Sequence, residues 1–73
     1  MMEYAFARFL REEMKKRGVS QRMLAEMTGY TPASISLWLR EKRGMPFHAV
    51  LRICEAMRWE VIIRTDVPEE ATP

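Results

Sequence analysis

Reactive side chains are scarce in this chain. It has one cysteine and one histidine among 73 residues, so no disulfide can close within a single copy and the ligands for a zinc site are lacking. Cys54 lies in an apolar helical pattern, where a thiol behaves as a small hydrophobe, and a reducing compartment suits it. His48 and Cys54 are six positions apart on one expected helix, about 120 degrees around its axis, so they cannot form a nucleophile and base pair unaided. His48 reads as a surface polar residue. The three glycines, Gly18, Gly29 and Gly44, form no phosphate-cradling motif. These shortages argue against an enzyme and imply no cofactor and no metal. Long apolar runs are missing too. Glu3, Arg8 and Arg11 interrupt the one segment that could imitate a signal peptide, and nothing is long enough to span a bilayer. The expectation is a soluble cytoplasmic protein without a membrane partner.

Acidic residues are short in the body of the chain. The formal net charge is +2, but Asp66, Glu69 and Glu70 lie near the C-terminus, leaving residues 1–65 with twelve cationic against seven anionic side chains. A modestly basic body suits a polyanion, although surface charge also serves solubility. A chain of this length forms one domain with one small core, so its function should lie on the surface.

What is present is helical punctuation. From Glu3 to Arg17, the apolar residues Met2, Phe6, Phe9, Leu10 and Met14 recur at helical spacing, with Arg11, Glu12, Lys15 and Lys16 on the other faces. This first helix ends before Gly18. Ser20 is placed to cap a second helix, with Val19 before it as a hydrophobic staple for Leu24. Gly29 then provides a left-handed turn. Thr31 follows as the next cap, Pro32 takes the first helical position, and Tyr30 staples onto Ile35, giving a third helix over 31–40. The loop R-E-K-R-G-M-P at 40–46 holds three cations and leads into a fourth helix from Pro46 to Met57. Its expected inward stripe is Phe47, Val50, Leu51, Cys54 and Met57. Trp38, three residues from Ile35, belongs on the inward face and reads as core. Small Ala25 falls where two short helices would cross closely.

Residues 59–65 change character. Trp59, Val61 and Ile63 alternate with Glu60, Ile62 and Arg64, and the β-branched content favours a strand. No other segment reads as a strand, so its backbone groups need a partner outside the chain. Pairing with a second copy would give a twofold dimer through Trp59, Val61, Ile62 and Ile63; the plainer alternative is an extended tail packed on its own domain. From Asp66 onward the composition predicts disorder. The expected organisation is therefore a domain at 1–58, a dimerisation strand at 59–65 and a tail at 66–73.

Leu24-Ala25, Gly29, Ile35 and Trp38 at these spacings resemble the helix-turn-helix of the phage Cro/repressor-like family, also called the xenobiotic response element family. The resemblance runs from about Phe6 to Met57. It implies an all-α, four-helix, lambda-repressor-like domain, to which the short C-terminal β-strand is added, encoded by a bacterium or phage. It also implies a sequence-specific, double-stranded DNA-binding transcriptional regulator, a repressor acting as a homodimer with helix 31–40 in the major groove.

Carried over residue by residue, base contacts fall to Thr31, Pro32, Ala33, Ser36 and Leu37. None of these can form the bidentate pairs that Arg, Lys, Asn or Gln make with guanine or adenine, so direct readout should be thin, and Thr31 can equally be only a cap. Phosphate contacts fall to Gln21 and Arg22 at the start of the second helix and to Arg40, Lys42 and Arg43 after the third. Each cation also reads as a solvated surface charge. The rival reading is an antitoxin-like protein-interaction module that binds a toxin or another regulator, with DNA binding secondary.

Overall fold

The computed structural model describes residues 2–62 and contains four helices: α1 (Met2–Arg17), α2 (Gln21–Thr28), α3 (Pro32–Leu39) and α4 (Phe47–Ala56). Each start signal works as its chemistry requires. Ser20 is extended at φ −83°, ψ 165°, and its side chain accepts from the Met23 N–H at 3.1 Å. Thr31 does the same for the Ser34 N–H at 3.1 Å, with Pro32 in the first turn. Both satisfy an N–H that the helix itself leaves free.

The helix ends share another device. After α1, Gly18 is left-handed at φ 69°, and the Val19 N–H reaches back to the Met14 carbonyl at 2.9 Å. After α4, Arg58 occupies the same conformation at φ 63°, while the Trp59 N–H bonds the Cys54 carbonyl at 2.8 Å. These are Schellman turns, whose left-handed position favours glycine because a Cβ is strained there. Arg58→Gly is therefore expected to stabilise the domain by about 0.5–1 kcal/mol, read as a higher urea midpoint with an unchanged slope.

α2 packs on α3 and α4, and α1 packs on α3 and α4. Leu10, Leu24, Ile35, Ile53 and Met57 are the largest wholly buried side chains, each contributing roughly 1.5–3 kcal/mol through removal of apolar surface from water. Ala25 is 3% exposed, as a close crossing of α2 with α3 requires. The inward faces of the outer helices differ from the expected stripes. On α1, Ala7 is buried and Phe9 is 51% exposed; on α4, Ala49 and Ile53 go inward while Phe47 is 60% exposed and Leu51 lies at the surface. α4 is apolar on most sides, so periodicity admits two registers. The chosen one puts small Ala49 against its neighbours, and Cys54 and Met57 are buried in either.

The expected strand is not supported. Residues 59–62 form no strand, and the Trp59 N–H is spent on closing α4. Trp59 packs on its own α1, with its ring 6.3 Å from Phe6 and 5.1 Å from Phe9. The Arg17 guanidinium lies 5.2 Å from the Trp59 ring centroid and donates to the Met57 carbonyl at 2.7 Å. For Trp59 the plainer alternative, packing on its own domain, is the one observed. Ile63, Arg64 and the expected tail at 66–73 lie outside the described residues. No described helix is long and apolar enough to cross a membrane.

Candidate nucleic-acid interface

The α2–α3 turn is built from inside. Thr28 is a buried polar residue whose hydroxyl donates to the Leu24 carbonyl at 2.8 Å and accepts from the Tyr30 N–H at 3.3 Å. Gly29 is left-handed at φ 82°, and its N–H bonds the Ala25 carbonyl at 2.8 Å. From α4, Arg52 donates to the Thr28 carbonyl at 3.2 Å and lies 5.5 Å from the Tyr30 ring centroid, a cation placed at a helix C-terminus where the dipole favours it. Tyr30 in turn stands edge-on to Trp38 at 5.1 Å. The turn angle is thus set by a buried hydroxyl, a glycine and an arginine from another helix.

α3 buries Ile35, Trp38 and Leu39, which leaves Pro32, Ala33, Ser36 and Leu37 on the opposite side. Pro32 and Ala33 are exposed, while Ser36 and Leu37 are half-buried. Thr31 is exposed, but its hydroxyl both accepts from the Ser34 N–H and donates to the Ser34 Oγ at 3.1 Å. Its cap role is therefore present, and only acceptor capacity remains for a base. The Ser36 hydroxyl accepts from the Arg40 Nε at 3.1 Å.

The end of α3 is anchored to α1. Glu41 is left-handed at φ 59°, and the Lys42 N–H bonds the Leu37 carbonyl at 2.9 Å. The Glu41 carboxylate accepts from Arg8 at 3.3 and 3.4 Å and from Arg11 at 3.2 Å, and Arg11 also donates to the Leu39 carbonyl. Met45 is buried and fixes the far end of the loop. The Arg8 hydrogen bond, with Arg11 beside it, holds the Glu41 carboxyl below the usual glutamate range. A depressed pKa in the folded state means that this stabilisation is present above the unfolded-state value and is lost as pH falls through the folded-state value. In urea titrations the midpoint advantage of wild type over Glu41→Gln should therefore shrink as pH is lowered through the carboxylate range; a constant difference would mean that the ion pairs do not stabilise the fold.

These contacts sort the cations. Arg8, Arg11, Arg17 and Arg52 are engaged within the domain. Arg22, Arg40, Lys42 and Arg43 are exposed and pair with no carboxylate among the described residues. Gln21 and Arg22 stand exposed in the first turn of α2, whose free N–H groups favour an anion. The structure thus places Gln21 and Arg22 at the start of α2, and Arg40, Lys42 and Arg43 at and after the end of α3. Of the dimer candidates, Trp59 is half-buried, Val61 is 43% and Ile62 70% exposed, and Ile63 is not described. Thr28, Glu41, Met45 and Arg52 escaped the sequence reading. A threonine one residue before a turn glycine is a usable signal for the first; the others depend on partners remote in sequence. Burial pushes the Cys54 thiol up, which suits a core residue and not a reactive one.

The family model for the Cro/C1-type HTH DNA-binding domain matches residues 9–60. No curated protein and no solved structure matches the chain.

Proposed function

The chain belongs to the Cro/C1-type helix-turn-helix DNA-binding family and is a DNA-binding transcription regulator; we propose that it acts as a homodimeric repressor that lays α3 in the major groove of double-stranded DNA. The observation that carries this reading is the coincidence of the outward face of α3 with the cations left unpaired: Arg22 on one side and Arg40, Lys42 and Arg43 on the other. Thr31, Pro32, Ala33, Ser36 and Leu37 then meet base edges, mostly through hydroxyls and thymine methyl contacts. Gln21, Arg22, Lys42 and Arg43 hold phosphates and set the register. Repression needs only occupancy of the duplex.

The dimer reading draws on the apolar surface formed by Phe9 and Trp59, in contact at 5.1 Å, together with exposed Val61 and Ile62. Burying such a surface against a second copy removes it from water. Two heads spaced by about 34 Å would read a rough palindrome. With three phosphate-gripping cations per subunit, Arg22, Lys42 and Arg43, log affinity for random-sequence duplex should fall with log salt at a slope of about −5. Fluorescence anisotropy across a salt series, alongside light scattering for the mass, measures both. Absence of duplex binding at low salt would overturn the reading and direct attention to a protein partner on the Trp59 surface.

A further inference from the structure

The outward face of α3 has a shortage and the structure supplies a candidate to fill it. None of Thr31, Pro32, Ala33, Ser36 or Leu37 can make a bidentate contact with a base edge. Arg40, at the C-terminal cap of α3, lies four residues beyond Ser36 and eight beyond Pro32, hence on the same side of the helix as both. Its Nε donates to the Ser36 hydroxyl at 3.1 Å, so the side chain folds back along α3 instead of extending into the loop, the direction in which helical side chains lean.

We propose that Arg40 is a base-reading residue, one that recognises a guanine, and that Ser36 positions it. This rests on the reading of α3 as the groove helix. A guanidinium has five N–H donors in a planar fork. With Nε committed to Ser36, the edge formed by Nη1 and Nη2 keeps four donors, the geometry that matches the O6 and N7 acceptors of guanine in the major groove. The fork has no competing carboxylate among the described residues, unlike Arg8 and Arg11, which Glu41 occupies. Tethering removes rotamer freedom that an untethered arginine would lose on binding. Lysine cannot substitute, because an ammonium lacks both the Nε donor and the fork.

The test selects the preferred duplex from a random pool with the full chain, then measures wild type, Arg40→Ala, Arg40→Lys and Ser36→Ala on that duplex, on its single-base variants and on random sequence. The expected wild-type result is one G·C pair per half-site whose replacement lowers affinity about tenfold to a hundredfold. Arg40→Ala and Arg40→Lys should each erase that preference while other positions keep theirs, and Ser36→Ala should weaken it. The Arg40 N–H that closes α3 is backbone, so these variants should keep the wild-type melting curve.

If Arg40 instead holds a phosphate, Arg40→Ala lowers affinity uniformly across sequences with a shallower salt slope, and Arg40→Lys restores it; that pattern overturns the proposal and leaves DNA binding intact. Wild-type binding with no G·C preference does the same. Failure of wild type to bind any duplex overturns the groove reading itself. Unweakened preference in Ser36→Ala would remove Ser36 from the assignment.

Discussion

Trp38→Ala is expected to abolish the cooperative thermal transition seen by far-ultraviolet circular dichroism. Trp38 is 6% exposed and meets Tyr30 edge-on at 5.1 Å, so its ring joins α3 to the turn that sets the α2–α3 angle. Truncating a buried aromatic to alanine costs about 3–5 kcal/mol through lost transfer energy and a residual cavity. A core of this size rarely supplies more than about 3–5 kcal/mol in total. The loss therefore equals the reserve, and the variant should be unfolded at 25 °C. Trp38→Phe provides the control. The Trp38 Nε1 is buried without a hydrogen-bond partner, and a desolvated donor of this kind costs about 1–3 kcal/mol. Phenylalanine removes that donor together with part of the ring, so the two effects offset and Trp38→Phe should melt close to wild type. A Trp38→Ala protein with a wild-type transition would show that the helix-turn-helix stands without this residue.

Replacing Lys42 and Arg43 together with alanine is expected to leave the melting curve in place and to flatten the salt dependence of duplex binding from about −5 to about −2, the remainder belonging to Arg22. At 0.1 M salt the affinity should fall by two to three orders of magnitude, at about 0.9 log units for each counterion-releasing contact in the dimer. Both side chains are exposed and unpaired among the described residues, so the fold loses little; surface changes of this type stay within about 0.5 kcal/mol. The loop carrying them is held independently of their charges, by the Lys42 N–H on Leu37 at 2.9 Å and by buried Met45. A salt slope unchanged by the double substitution would place the phosphate grip elsewhere.

The two predictions draw on different levels of the chain. Trp38 as core follows from its spacing to Ile35 and survives in the structure. The four helices, the caps Ser20 and Thr31 and the turn at Gly29 were equally legible, because each is a local competition between a side chain and its own backbone within four residues. The stripe of α4 was not. Seven of its ten residues are apolar, so spacing does not choose between Ala49 with Ile53 and Phe47 with Leu51; contact with α1 and α2 does. The C-terminal strand was overread for a related reason. Alternation of Trp59, Val61 and Ile63 measures β-branched content and period, but residue 59 follows a helix whose end needed its N–H for the Cys54 carbonyl.

The interface divides along the same line. The chain's pattern alone determined where the groove helix begins, which cations surround it and that its base-reading set is poor, since these are matters of residue type and position. Only the tertiary structure decided which cations are available. Glu41, left-handed after α3, takes Arg8 and Arg11 from another helix; the carbonyl ends of α2 and α4 take Arg52 and Arg17. Those assignments depend on groups 24 to 40 residues apart in the chain, and a charge has no local signature of the partner that will neutralise it.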